Sequence, residues 1–271
     1  MDRLAQCYNA KYSMLRSSMY SAESSHYDKE ADHYDAFNAE SSRLINNTIA
    51  NILKNYGVTT VLDLSCGTGS QVFWLSQLGY EVVGYDINAK MLKIAENNAA
   101  AKRLDATFLK GDMRTITVGS FDAAITIFNS IGHLTKLDFE KTIRNVARNL
   151  KDNGLYIFDI YNLNYLITGD HITNLTIDWQ KIEGNTKIRD IQYSTIDKAG
   201  LLCSHTISHV DKGPPSPHIS NSSQVMQIYT ASQLRKILLR NGFEPLDQTG
   251  IDGSSLIESE TDRIITTARK K

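Results

Sequence analysis

The stretch Val61-Leu62-Asp63-Leu64-Ser65-Cys66-Gly67-Thr68-Gly69-Ser70 restricts this chain more than any other. Val61, Leu62 and Leu64 form the apolar run of a buried strand, and Val72, Phe73, Leu75 and Leu78 recur at helical spacing beyond the glycines. A strand must give way within a few residues to a helix opening at about Gln71. Glycine reaches the positive φ that so tight a turn needs and lets backbone approach a ligand closely, while the free N–H groups of the helix start attract negative charge or electron-rich oxygen. Such a corner suits a nucleotide site, but it also serves as an ordinary connection in an α/β domain, and alone it does not separate the two.

The residues on either side place the corner in a layered domain. Ile45, Ile49, Ile52, Leu53 and Tyr56 mark an amphipathic helix from Ser41 to Gly57. Glu81–Tyr85 reads as a second strand ending in Asp86, Ala106–Leu109 as a third leading into Gly111-Asp112-Met113-Arg114, and Phe121–Phe128 as a fourth. Thr135 and Asp138 open a helix with Leu137, Ile143, Val146, Ala147 and Leu150 facing inward, and Lys151–Gly154 turns the chain into a fifth strand, Leu155–Ile160. This alternation is the pattern of a doubly wound, mostly parallel sheet. From Ile172 to Tyr229 the helical periods vanish, and alternating stretches separated by turn residues indicate an antiparallel β insertion after strand five. A helix capped by Thr230 and two closing strands, Phe243–Gln248 and Arg263–Ala268, complete a domain over 41–271. Residues 1–40, rich in Tyr, Ser and charge, read as a surface arm or lid.

At 271 residues the chain holds one generous domain, or one with an insertion. Its formal charge of −1 offers no basic field for nucleic acid. Three widely spaced cysteines, Cys7, Cys66 and Cys203, suggest neither a disulfide framework nor a metal site and fit a reduced, cytoplasmic setting. No long apolar run points to membrane insertion or secretion.

Asp86 stands at the carboxyl end of a strand, where ligands gather in open α/β sheets, near the spacing of the ribose-binding acid of a dinucleotide fold. Val72, however, occupies the place of the third glycine of a dinucleotide fingerprint, which argues against a pyrophosphate ligand. The series Asp63-x-Ser65-x-Gly67-x-Gly69, Asp86, Gly111-Asp112-Met113 and Phe121-Asp122 resembles class I S-adenosylmethionine-dependent methyltransferases in order and spacing, over roughly Ile45 to Ile160. With Ser130-Ile131-Gly132-His133-Leu134 it is similar to amino-sugar N,N-dimethyltransferases and, more broadly, to glycine and sarcosine N-methyltransferases.

The resemblance implies a Rossmann-like seven-stranded sheet with its last strand antiparallel, and S-adenosyl-L-methionine as methyl donor. It implies that Ser65, Cys66 and Gly67 meet the methionine moiety through backbone groups, that Asp86 accepts from both ribose hydroxyls, that Asp112 accepts from the adenine amine, and that Met113 and Phe128 wall the pocket. His133 is the candidate base for an amine acceptor, against a purely structural hydrogen bond. Tyr34 resembles the tyrosine that such enzymes fold over the donor, with Tyr27 as its rival. Cys203, His205 and His209 share one strand face but are spread too widely to bind a metal unaided.

The expected reaction is therefore methyl transfer to a small-molecule amine. Transfer to oxygen, RNA or protein and a non-catalytic nucleotide-binding module remain alternatives. Oligomeric state, including a homodimer, is left open.

Overall fold

The computed structural model describes residues 34–213 and 217–271, with side chains from Ser42 onward. In chain order its elements are α1 (Tyr34–Asn55), β1 (Thr60–Asp63), α2 (Ser70–Gln77), β2 (Glu81–Asp86), α3 (Ala89–Lys102), β3 (Thr107–Lys110) and β4 (Phe121–Thr126). A short 3-10 turn at Ser130–His133 leads to α4 (Lys136–Asn149), β5 (Leu150–Tyr161) and α5 (Leu163–Ile167). Strands β6 (Ile177–Glu183), β7 (Thr186–Ile196), β8 (Leu201–Asp211) and β9 (His218–Gln227) follow, then α6 (Ala231–Arg240), β10 (Phe243–Thr249) and β11 (Arg263–Lys270).

Seven strands form one sheet in the order β10-β11-β5-β4-β1-β2-β3. The pairs of β1 with β2 and β4, of β2 with β3, and of β4 with β5 are parallel, while β11 runs antiparallel to both of its neighbours. This is the doubly wound sheet expected from the sequence, with one reversed strand near its edge. Alternate residues feed two cores, as a sheet covered on both faces requires. Val61, Ile125 and Ile157 join Ile45 and Ile49 of α1 and Val72 of α2 on one face. Leu62, Ala124, Tyr156 and Phe158 join Phe139 and Ile143 of α4 and Leu234 of α6 on the other.

The helix boundaries follow local capping chemistry. The Thr135 hydroxyl accepts from the Asp138 N–H at the start of α4, and Thr230 and Gln233 form a reciprocal capping box at the start of α6. Three sequence expectations need correction. Helix α1 starts at Tyr34, earlier than Ser41. Leu137 faces solvent at 74% exposure, and Phe139, with no exposure, fills the inward position. Lys151–Gly154 lies within β5, because Asn153 at φ 61° lets the strand bulge and continue.

The insertion forms a separate antiparallel meander in the order β6-β7-β8-β9. Its ends are adjacent: Asn162 and Tyr229 form a parallel bridge, with the Leu163 N–H donating to the Tyr229 carbonyl at 3.0 Å. Gly200 joins β8 to this junction at φ 85°, and a Cβ there would lie 2.2 Å from the Ile228 carbonyl oxygen. Among the described residues, no helix is long and apolar enough to cross a membrane. Gly200→Ala is expected to destabilise the fold by about 3 kcal/mol or more, combining the clash with the unfavourable φ. Gly184→Ala, at φ 56° in the open β6–β7 turn, should cost only about 1 kcal/mol. Urea unfolding of the two variants checks the difference.

Candidate active site

The order of the sheet reverses between β1 and β4, and the carboxyl ends of these strands border the crevice where open α/β sheets hold ligands. The glycine turn occupies that edge. Gly67 and Gly69 have φ of 53° and 91°, values that side chains rarely adopt. Their surroundings differ: a Cβ on Gly69 would strike the Phe73 ring at 2.8 Å, whereas a Cβ on Gly67 would meet nothing within 4 Å among the described residues. Gly69 thus permits close packing behind the turn, and Gly67 presents bare backbone to open space.

Hydrogen bonds bring Cys66, Gly67 and Asp86 together. The Cys66 N–H donates to the Tyr85 carbonyl at 2.9 Å, and the Gly67 N–H donates to Asp86 Oδ2 at 2.9 Å. Asp86 Oδ1 accepts from the Asn88 N–H at 2.8 Å. These backbone donors, with the Ile87 N–H beside them, fix the carboxylate and leave it acceptor capacity for a further donor. Burial raises the Asp86 pKa, opposed by these N–H bonds. Cys66 packs inside the turn, with burial pushing its thiol pKa well up, so it is a poor nucleophile.

Asp63 and Ser65 complete the turn. Asp63 is 1% exposed; its Oδ1 accepts from the Ser65 N–H at 3.2 Å. Among the described residues, Asp63 Oδ2 and Ser65 Oγ are both buried without a hydrogen-bond partner. Burial, together with the nearby charge of Asp86, raises the Asp63 pKa to about 7, against the Ser65 N–H bond. Asp63 was not among the expected ligand-binding side chains, although an acid inside the apolar run Val61-Leu62-Asp63-Leu64 was a signal that something there must compensate it.

Asp112 and Met113 follow β3, next to β2, and the Gly111 N–H bonds the Asp86 carbonyl at 3.0 Å. Arg114 grips Asp112, its Nε lying 2.9 Å from both carboxylate oxygens, and reaches Asp138 at 3.2 Å. Burial would raise the Asp112 pKa, but the Arg114 bonds and charge outweigh it and hold the carboxyl below its ordinary range. Met113 packs against the core beside α4, its carbonyl accepting from Asn145 Nδ2 at 3.1 Å. Asp122, part of the same sequence series, lies at the opposite, amino-terminal end of the strands. It ties β4 to β1 by accepting from the backbone and hydroxyl groups of Thr59 and Thr60, and it pairs with Lys151. Its role is structural.

Past β4, Phe128 and Asn129 are consecutive left-handed residues, at φ 63° and 58°, a conformation costing roughly 1–2 kcal/mol each. A buried ion pair missed from sequence supports them. Arg263, 8% exposed, bonds Asp159, which has no exposure, and its guanidinium lies 5.5 Å from the centre of the Phe128 ring. Asp159 Oδ1 accepts from the Asn129 N–H at 3.4 Å, and Asn129 Oδ1 accepts from the Tyr161 N–H at 2.8 Å. His133 ends the 3-10 turn beyond, 8% exposed.

Tyr34 opens α1, but its side chain lies outside the described residues, as does Tyr27. His205 on β8 is engaged by the Ser223 hydroxyl and lies beside the Tyr193 ring, tilted by 31°. Among the described residues, no group of three or more His, Cys, Asp or Glu is placed to hold a metal ion. A cleft of about 350 Å³ between α1, α2 and α3 carries Arg43 and Lys102, yet none of the expected donor-binding residues lines it.

This strand order and crevice define a class I methyltransferase fold. Residues 61–154 match the family profile described as Methyltransferase domain. YqeM of Bacillus subtilis is 38% identical over 105 residues, covering 38% of this chain and 42% of that protein. The glycine/sarcosine N-methyltransferase of Parasynechococcus marenigrum is 35% identical over 126 residues, covering 44% of this chain and 43% of its own. The chain thus spans less than half the length of these curated relatives. A crystal structure of an S-adenosylmethionine-dependent methyltransferase from Clostridium acetobutylicum superposes with a TM-score of 0.72 at 19% identity, covering 90% of this chain and 98% of that one.

The buried acid yields a pH prediction. Between about pH 4 and 7 Asp63 is protonated in the folded chain and ionised in the unfolded one, so its contribution to stability is full below pH 3.8 and lost as pH rises through 7. Asp63→Asn removes this titration. The stability of the variant relative to the parent should therefore grow by an amount on the order of 4 kcal/mol from pH 4 to pH 7 and level off above, as read by denaturant unfolding across that range.

Proposed function

We propose that this chain binds S-adenosyl-L-methionine at the carboxyl edge of β1, β2 and β4 and transfers its methyl group to a small-molecule amine. The observation that carries the reading is the pair of acids at the glycine turn, Asp63 with an unpartnered buried oxygen and Asp86 with its carboxylate fixed by two N–H groups. A buried carboxylate oxygen without a partner suits a cation, and two acids beside the turn disfavour a pyrophosphate. Open space over Gly67 leaves room for such a ligand. The likeness to the glycine/sarcosine N-methyltransferase supports an amine acceptor.

When bound, the donor supplies a methyl group activated by a positively charged sulfur. In this reading Asp63 faces the donor's ammonium group, Ser65, Cys66 and Gly67 present backbone and hydroxyl groups to its methionine portion, and Asp86 accepts from the ribose hydroxyls. Asp112, oriented by Arg114, accepts from the adenine amine, with Met113 and Phe128 as apolar walls. His133 takes the proton of the amine nucleophile, and Tyr34 closes over the donor. Charge moves rather than forms during the transfer, so the chain's main work is to align the reactants and exclude water.

Calorimetric titration with the donor and with S-adenosyl-L-homocysteine tests the reading. The parent chain should bind both, and Asp86→Ala should weaken binding by about a hundredfold, or roughly 3 kcal/mol, through loss of two charge-assisted hydrogen bonds. Absence of binding by the parent, or equal binding by the variant, overturns the assignment. For the base, His133→Ala should leave donor affinity within about twofold while slowing transfer to an amine acceptor by about 10²–10⁴. Unchanged turnover would leave His133 only a structural part.

A further inference from the structure

Consecutive parallel strands are normally joined by a helix, which satisfies its own backbone groups. The connection from β3 to β4 is built differently. Residues 111–120 make the crossing with only a turn at 112–116, closed by the Thr115 and Ile116 N–H groups on the Asp112 carbonyl at 2.9 Å. No side chain of this stretch is fully buried, and Met113, Ile116 and Val118 pack only in part against the core. Its other backbone groups must therefore find partners elsewhere. Those partners come from α4. Asn145 Nδ2 donates to the Met113 carbonyl at 3.1 Å and to the Ile116 carbonyl at 2.7 Å. Asn149 Nδ2 donates to the same Ile116 carbonyl at 2.9 Å, and its Oδ1 accepts from the Val118 N–H at 2.9 Å. Two turns before Asn145, Asp138 holds Arg114, which holds Asp112. The spacing of 138, 145 and 149 puts all three side chains on one helix face.

We propose that Asn145 and Asn149 are positioning residues for the base of the methyl donor, fixing the backbone that presents Asp112 and Met113. This rests on the donor reading above, in which Asp112 accepts from the adenine amine. Both asparagines have no exposure, although asparagine is a weak helix former and a buried amide is costly unless its bonds are made. An aliphatic side chain would fill the same space but leave the Met113 carbonyl and the Val118 N–H without these partners. The amides thus serve the segment rather than the helix. Their anchor is firm, because Phe139, Ile143 and Val146 of α4 are wholly buried against the sheet. Arg114 aims the Asp112 carboxylate, and the asparagines hold the backbone behind it. A hydrogen-bonding group selects an amine over a carbonyl only when it is held within about 0.5 Å of its productive place, and a segment with no buried side chain cannot supply that precision by itself.

Calorimetric titration of the full chain with S-adenosyl-L-homocysteine and with S-inosyl-L-homocysteine, in which a carbonyl replaces the adenine amine, tests this role. The parent should prefer the adenosyl compound by about a hundredfold. Asn145→Leu keeps the volume and removes both donors, and it should cut the preference to about tenfold or less, chiefly by weakening the adenosyl compound. Asn145→Ser retains one hydroxyl donor and should cut it to about thirtyfold, which preserves the test if the leucine variant fails to fold. Thr142→Val, three residues earlier on the same face, alters a buried hydroxyl that has no partner among the described residues and should leave the preference unchanged. A parent that binds neither compound, or both alike, overturns the donor reading and this inference with it. A parent that discriminates, beside Asn145 variants that discriminate equally well, overturns the positioning role alone, as does an equal loss of preference in Thr142→Val.

Discussion

Covering a parallel sheet on both faces leaves polar chemistry one main outlet, the ends of its strands. In this chain α1 and α2 press on one face and α4 and α6 on the other, so backbone and side-chain polarity concentrates where β1, β2 and β4 stop. The acids at that edge follow from the same constraint. Asp63 and Asp159 each interrupt an apolar strand, and each must be compensated or held neutral. Asp159 is compensated by Arg263 from the neighbouring strand. Asp63 has no such cation among the described residues, and burial raises its pKa.

The two compensations divide the labour of the site. The Arg263–Asp159 pair makes a rigid wall by holding Asn129 through its N–H and Phe128 through its ring, so the left-handed turn after β4 is held from behind. Removing one partner from such a buried pair typically costs about 3–5 kcal/mol, because the remaining charge is stranded. Across the crevice, Asp86 is oriented by neutral N–H groups alone and therefore keeps its charge available to a ligand. Arg114 binds Asp112 more tightly and leaves it fewer free acceptor positions.

The alternation of strands and helices, the glycine turn and the place of Asp86 were legible because each rests on a local rule: apolar period, positive φ, or position at a strand end. The meander between Ile177 and Gln227 was legible for the same reason. What escaped depended on tertiary contacts. Leu137 and Phe139 both fit an inward position by composition, and only the arrangement of α4 on the sheet chose Phe139. The bulge that keeps Lys151–Gly154 inside β5 depends on one left-handed Asn, which sequence reads as a turn. Arg263 lies 104 positions from Asp159, and nothing near either residue announces the other. Asp122 belongs to the motif series that carries the resemblance, and its hydrogen bonds brace the amino ends of β1 and β4.

The bridge between Asn162 and Tyr229 has a bearing on how such a chain can change over time. Because the inserted segment leaves and re-enters the sheet domain at neighbouring residues, its far strands can drift in length and sequence while Leu202, in one core with Tyr156 and Leu234, keeps its base tied to β5 and α6. The crevice and its acids are built from residues on the other side of that doorway. The molecule is thus modular at a single seam, with one part free to diversify while the other is held to its geometry.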